Sequence, residues 1–409
     1  MPRAPASDAT LRERALRVVP GGMWGHLHAQ RLPQGYPQFF ARAEGGHIWD
    51  ADGREYVDLM CSWGPIVLGH HDPVVDAAAA RQAALGDCLN GPAPVMVELA
   101  ERLVDRIPHA DWAMFQKNGT DATTACVTIA RAATGRRVIL VAQGSYHGAA
   151  PWCTPVPAGT TETDRAHQLR FRYNDVASLG AAADAAGDDL AAVIVTAFRH
   201  DNVVDQEMPT PAFAQAMRRL CDRRGAALIL DDVRAGFRLH CGGSWEGLGV
   251  RPDLSAWSKA IANGHALAAV TGTDALREAA SRVFVTGSFW CAAVPMAAAL
   301  ATLQRLDELD AVAHMEQLGQ RLRDGLAALA AQHRVGLRQS GPVQMPLFLF
   351  DGDAEFRQGA AFCRAALEAG AYLHPRHNMF LCAAHTDSDM DRVLDAADAG
   401  FRAVRRLAA

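Results

Sequence analysis

The hydropathy pattern predicts an α/β fold on a mainly parallel sheet, with a smaller α+β part made from both ends of the chain. Three observations carry this. Short apolar runs at Val138–Val141, Ala192–Val195, Ala226–Leu230 and Ala268–Thr271 alternate with long amphipathic helical patterns, and strands covered on both faces read as such runs. The run Leu228–Ile229–Leu230 ends on Asp231–Asp232, a carboxylate at the strand end where open α/β sheets place ligands. The two ends of the chain have another texture, with short strands mixed with helices, which suits a separate layer.

Taken in order, residues 38–60 predict a twisted antiparallel meander. Its apolar positions are Phe39, Phe40, Ile48, Trp49, Tyr56, Val57 and Leu59, and Gly45–Gly46 and Asp50–Gly53 supply the turns. The helix–strand alternation starts near residue 73. Trp112–Gln116 reads as a short strand, followed by a helix from Gly119 through Arg131. Helices follow near 291–307 and 310–333. The tail predicts a strand over Val343–Phe350, a helix over 355–369, a strand at Tyr372–Leu373 and a last helix over 387–407. No internal repeat or low-complexity linker interrupts the pattern. We expect residues 1–65 and 309–409 to make the small domain and 66–308 the large one.

Composition narrows the function. Half the residues are hydrophobic and 21% are charged, as in a globular protein. A net charge of −5 and a pI near 6.3 leave no footprint for nucleic acid. No apolar stretch reaches the ~18 residues of a membrane span, and no signal peptide is visible at the N-terminus. The nine cysteines are scattered with no C-x-x-C pair, which suits a reduced cytoplasm.

Of forty lysines and arginines only two are lysine, Lys117 and Lys259. Arginine replaces lysine wherever a solvated charge is enough. It does not replace a primary amine nucleophile, because guanidinium stays protonated and forms no Schiff base. Lys259 follows the apolar run in Asp253–Leu254–Ser255–Ala256–Trp257–Ser258, and is the stronger candidate for amine chemistry. An acid at a strand end with a lysine a few tens of residues later is what pyridoxal phosphate (PLP) requires. The carboxylate keeps the pyridine nitrogen protonated and the lysine holds the aldehyde as an imine. The plain alternative for Asp231 is a helix cap or surface ion pair.

A phosphate cup is expected at Lys117–Asn118–Gly119–Thr120–Asp121, where a strand ends and a helix opens with unpaired N–H groups. Gly–Thr–Asp is also an ordinary capping sequence, and Lys117 is either a charge beside the cup or a strand-end residue. In Gly144–Ser145–Tyr146–His147–Gly148 an aromatic follows a strand, where it either stacks on a flat cofactor or packs in a turn. The chain has no G-x-G-x-x-G after a strand, no P-loop and no G-x-S-x-G elbow. The histidines His26, His28, His70, His71, His374 and His377 lack ligand partners at recognised spacing, so no metal is expected.

Together these segments resemble the class III PLP-dependent aminotransferases, in their glutamate-1-semialdehyde aminomutase-like branch. The matching stretches are Pro20–Gly22, Ile48–Gly53, Ser62–His70, Asn118–Ala122, Tyr146–Gly148, Asp231–Arg238, Pro252–Lys259 and Ala384–Thr386. The resemblance implies the type I, aspartate-aminotransferase-like fold. That fold has a large domain with a mainly parallel seven-stranded sheet, and forms a homodimer with both sites at the subunit interface. It implies that Lys259 forms the Schiff base and moves the substrate proton, and that Asp231 pairs with the ring nitrogen. Val233 and Tyr146 cover the two ring faces, and Asn118, Gly119 and Thr120 hold the phosphate. A hydroxyl from the neighbouring subunit joins them, with Ser288 expected and Thr286 in reserve. One of His200, Asp201 and Asn202 is expected at the phenolic oxygen.

The substrate half departs from the branch. Where the aminomutases place an arginine after Pro–Gly–Gly, this chain has His28, with Arg31 close by. The late gating loop is shortened to Pro375–Phe380, and Arg234 replaces a residue often uncharged. His28, Arg31, Trp63, Arg199, Arg234 and Arg376 are the substrate-side candidates, with an arginine as carboxylate clamp. These departures argue against glutamate-1-semialdehyde as substrate. The expected activity is transfer of an amino group from an amino donor to a carbonyl acceptor bearing a carboxylate. An intramolecular aminomutase or racemase is the alternative, followed by a decarboxylase or a non-catalytic PLP-binding module.

Overall fold

A computed structural model describes residues 7–200 and 203–408. Its centre is a seven-stranded sheet made of β4 (Trp112–Gln116), β5 (Val138–Ala142), β6 (Gln168–Phe171), β7 (Leu190–Thr196), β8 (Ala227–Asp231), β9 (Leu254–Trp257) and β10 (Ala268–Gly272). The order is β4–β10–β9–β8–β7–β5–β6. Neighbours from β9 to β6 pair in parallel, and β10 runs antiparallel to both β9 and β4. Side chains of a strand alternate between faces, so each central strand feeds two cores. Leu140, Val193, Val195, Leu228 and Leu230 pack with Phe213 and Met217 on one face. Ile139, Val141, Ile194 and Ile229 pack with Cys126 and Ile129 of the helix Gly119–Thr134 on the other.

The chain ends form a second sheet. The meander β1 (Phe40–Glu44), β2 (His47–Asp50) and β3 (Glu55–Asp58) is antiparallel, and β13 (Ala371–Tyr372) joins β3 in parallel. A hairpin of β11 (Leu337–Ser340) and β12 (Leu347–Phe350) stands apart from both. The strand expected over Val343–Phe350 is therefore shorter. Pro342 and Pro346 bracket a turn closed by the Met345 N–H on the Pro342 carbonyl, and the Pro346 and Gln344 carbonyls accept from Met379 and Leu381. Strands β6 and β11 were not expected. Gln168–Phe171 and Leu337–Ser340 are short and half polar, and β6 is a sheet edge, so neither produces an apolar run. Among the described residues no helix is long and apolar enough to cross a membrane.

A buried arginine joins the parts. Arg238, in the loop after β8, is fully enclosed. It donates to the carbonyls of Gly64 at 2.8 Å, Ile66 at 2.9 Å and Leu381, and its guanidinium lies over Phe380. Burial holds its pKa below the usual arginine value. Asn263 does similar work: its Oδ1 accepts from the Val67 and Leu68 N–H groups, and its Nδ2 donates to the Gly69 carbonyl. Arg238→Met keeps much of the volume and strands three buried carbonyls. It should destabilise the fold by about 2–4 kcal/mol, seen as a drop of several degrees in the circular-dichroism melt. A melt within about one degree of the parent would show that Arg238 is not the staple described.

Candidate active site

Strands β8 and β9 are parallel neighbours, with Asp231 opposite Ala256. Both therefore deliver their last residues to one edge of the sheet. Past β9 the backbone turns at Lys259, whose φ of 51° is left-handed, a conformation that is unusual for a residue with a Cβ. Its Nζ donates to the Trp63 carbonyl at 2.9 Å. Trp63 closes another left-handed run, Cys61, Ser62 and Trp63 with φ of 45°, 54° and 67°. Burial, then the Arg234 guanidinium, push the Lys259 amine down to about 7, against the pull of Asp231.

Asp231 is buried at the end of β8. Its Oδ2 lies 2.7 Å from His147 Nδ1, and its Oδ1 accepts from the Val233 N–H. His147 is itself buried, stacked near-parallel to Trp152, and its carbonyl accepts from Thr123 in the adjacent helix. The carboxylate is thus fixed by an imidazole that is fixed in turn, an arrangement that holds orientation.

The turn Asn118–Gly119–Thr120 opens the sixteen-residue helix Gly119–Thr134. The Asn118 N–H is taken by Asp121 Oδ2 at 2.9 Å, while Thr120 Oγ1 accepts from the Ala149 N–H. Gly119 and Thr120 belong to the first turn, whose N–H groups have no partner within a helix. A Cβ on Gly119 would lie 2.6 Å from Val233 Cγ1, and one on Gly148 would lie 2.4 Å from Thr120 Oγ1. Both positions are open only because glycine fills them. Tyr146 is 42% exposed beside this cradle, and burial pushes its hydroxyl pKa up against the pull of Arg234. Lys117 directly follows β4, near the His265 ring.

These groups fit PLP. The braced Asp231 answers a protonated ring nitrogen, the helix start with two glycine clearances answers a phosphate, and the amine near pH 7 answers an aldehyde. Two buried imidazole nitrogens, His147 Nε2 and His200 Nδ1, have no partner among the described residues. Asp201 and Asn202, weighed with His200 for the phenolic oxygen, lie outside the described residues.

On the substrate side the structure gathers residues distant in sequence. Trp63 is ringed edge-on by His26, His374 and His377 at centroid distances of 5.1, 5.4 and 4.9 Å. Arg234 donates to the His200 carbonyl and to Asn378 Oδ1. His28 turns back on its own loop, where it accepts from the Gln30 N–H and packs over Gly21. Arg31 is exposed in the next turn. Arg376 is exposed with its guanidinium over Phe356, and Arg199 pairs with Glu207. Thr286 and Ser288 are exposed in a loop that also carries Phe284 and Phe289. His26, His147, His374 and His377 were read from sequence as core or surface histidines or passed over. Only His147, adjacent to Tyr146, had a local signal. Cys61, Cys382 and His385 cluster nearby, but both His385 nitrogens are engaged with backbone groups, Nδ1 with Cys382 and Nε2 with Asp58.

The sequence profile of class-III aminotransferases matches residues 31–389. The aminopentol aminotransferase of Sphingopyxis macrogoltabida is 50% identical over 97% of this chain and 94% of its own. The glutamate-1-semialdehyde 2,1-aminomutase of Anaeromyxobacter dehalogenans is 34% identical over 97% and 98%. The solved FumI protein of Sphingopyxis sp. MTA144, in a PLP-bound form, superposes with a TM-score of 0.96 at 49% identity, over 98% of this chain and 96% of that one.

The lowered amine pKa has a measurable sign. Only the neutral amine is nucleophilic, so acylation of Lys259 in the cofactor-free protein should rise as pH climbs through about 7. Peptide mapping after brief acylation across pH 5–11 reads the midpoint. A midpoint near the ordinary lysine value of 10.5 would show that the amine is solvated.

Proposed function

The chain belongs to the class-III aminotransferase family, and we propose that Lys259 is its catalytic amine and Asp231 the anchor of the cofactor ring. It is a PLP-dependent aminotransferase of fold type I. The observation that carries the residue assignment is the pairing at one sheet edge of a lysine with a pKa near 7 and a carboxylate braced by His147.

PLP, when bound, supplies an aldehyde for amines and a ring that stabilises negative charge on the substrate carbon. This chain's residues do the rest. Asp231 keeps a proton on the ring nitrogen, and His147 keeps Asp231 in place. Neutral Lys259 takes the proton from the amine-bearing carbon and would return it across the nitrogen, to the carbon that PLP contributes as its aldehyde. Val233 and Tyr146 cover the ring faces, and the Gly119 and Thr120 N–H groups with Asn118 hold the phosphate. His200 faces the phenolic oxygen. Arg234, which donates to Asn378 Oδ1 and the His200 carbonyl, is the clamp for a carboxylate on the acceptor. The relative named as an aminopentol aminotransferase supports an amine donor with a hydroxylated chain.

We read residues 66–308 as the cofactor-binding domain, with 1–65 and 309–409 forming the smaller one. We also read the enzyme as a homodimer in which Ser288, or Thr286, reaches the partner's phosphate. The exposed Phe284 and Phe289 of the same loop support this, since large exposed apolar side chains mark interfaces. Nine free cysteines support a cytoplasmic setting. The aminomutase relative favours intramolecular transfer as the second reading.

Mixing holoenzyme with a panel of amines, including hydroxyalkylamines, should shift the cofactor absorbance to that of its amine form, and adding a keto acid should reverse it. Nitrogen-15 in the donor should appear in a second molecule. Label retained in one molecule, with no acceptor required, would establish the mutase instead. Lys259→Ala and Lys259→Arg should both lose turnover by at least about 10³-fold. Activity in the arginine variant would show that only charge is needed there.

A further inference from the structure

Tautomers can be assigned at two of the histidines around Trp63. His374 Nδ1 accepts two backbone N–H groups, from Arg376 at 3.1 Å and His377 at 3.0 Å. That nitrogen is bare, so a neutral His374 carries its hydrogen on Nε2. His377 Nδ1 lies 2.6 Å from the Asn378 carbonyl. A carbonyl only accepts, so this Nδ1 carries the hydrogen and a neutral His377 has a bare Nε2. Neither Nε2 has a hydrogen-bond partner among the described residues. The rings stand 6.0 Å apart and both press edge-on against Trp63, whose carbonyl holds Lys259. The pair offers one donor and one acceptor, the set that a hydroxyl satisfies and a carboxylate does not.

We propose that His374 and His377 form a subsite for a hydroxyl carried on the amine donor close to its amine-bearing carbon. This rests on the aminotransferase reading above and names the donor class as a hydroxyalkylamine. Electrostatics agree. Burial, then Arg376, push His374 down to about 4, and burial, then Arg234, push His377 well below the usual histidine value. Both rings stay neutral near pH 7, so they do not clamp a carboxylate by charge. His200 lies near Arg234 and His377: it is 6% exposed, and its Nδ1 has no partner among the described residues.

The test uses holoenzyme and two matched amines, 3-aminobutan-2-ol and butan-2-amine. The parent should favour the amino alcohol in kcat/KM by about tenfold or more. His374→Asn and His377→Asn keep a polar atom near the Nδ1 position, so the contacts to Arg376, His377 and Asn378 can persist, while Nε2 is removed. Each should lower the kcat/KM ratio of the amino alcohol to butan-2-amine several-fold, chiefly through KM for the amino alcohol, with the circular-dichroism spectrum near the parent's. His377→Gln, whose amide reaches the Nε2 position, should recover part of the preference. Equal kcat/KM for the two amines in the parent, or a preference that survives both asparagine variants, overturns the subsite while transamination stands. Failure of holoenzyme to convert either amine overturns the donor reading and the subsite with it.

Discussion

The hydrogen bond from Lys259 Nζ to the Trp63 carbonyl joins two backbones held in left-handed conformations. Such residues cost about 1–3 kcal/mol each and persist only where the surroundings over-determine them. The surroundings here are specific. Arg238 grips the Gly64 and Ile66 carbonyls from the loop after β8, and Asn263 grips residues 67–69 from the turn after Lys259. The loop carrying Trp63 is therefore tied to the same two strand ends that deliver the acid and the amine. A disturbance at residues 61–69 reaches Lys259 directly, and the site is a property of several segments together.

The two ionisable groups sit in different surroundings. Asp231 is buried and held by His147 and the Val233 N–H. Lys259 is surrounded by protein with Arg234 as a cationic neighbour, which disfavours the ammonium. One cleft thus holds the acid in a fixed orientation and brings the amine toward neutrality near pH 7.

Much of this was legible in the sequence, for identifiable reasons. Central strands buried on both faces must be apolar throughout, so β5, β7, β8 and β10 stand out, while β6 and β11, short and half polar, do not. Lys259 stands out because arginine took over every other cationic position except Lys117, yet cannot serve as a reversible amine nucleophile. The same bias hides the substrate side: in an arginine-rich chain no single arginine is informative, and Arg376 and Arg199 prove to be occupied by Phe356 and Glu207. The histidines around Trp63 come from positions 26, 374 and 377. Only the tertiary path brings the N-terminal loop, the loop after β3 and the segment after β13 to one place, so no spacing rule exposes them.

An aminotransferase must accept two substrates in turn at one lysine, and the arrangement suggests how they are told apart. Imidazoles press on Trp63, and Asn378 links them to a guanidinium: its backbone carbonyl takes the His377 hydrogen and its Oδ1 accepts from Arg234. On the reading proposed above, a hydroxyl would satisfy the imidazoles without charge, and Arg234 would meet a carboxylate. The short loop Pro375–Phe380 carries His377 and Asn378, and so bears on both recognition elements. Its sequence is where donor and acceptor preference would diverge first among relatives that keep the lysine and the aspartate.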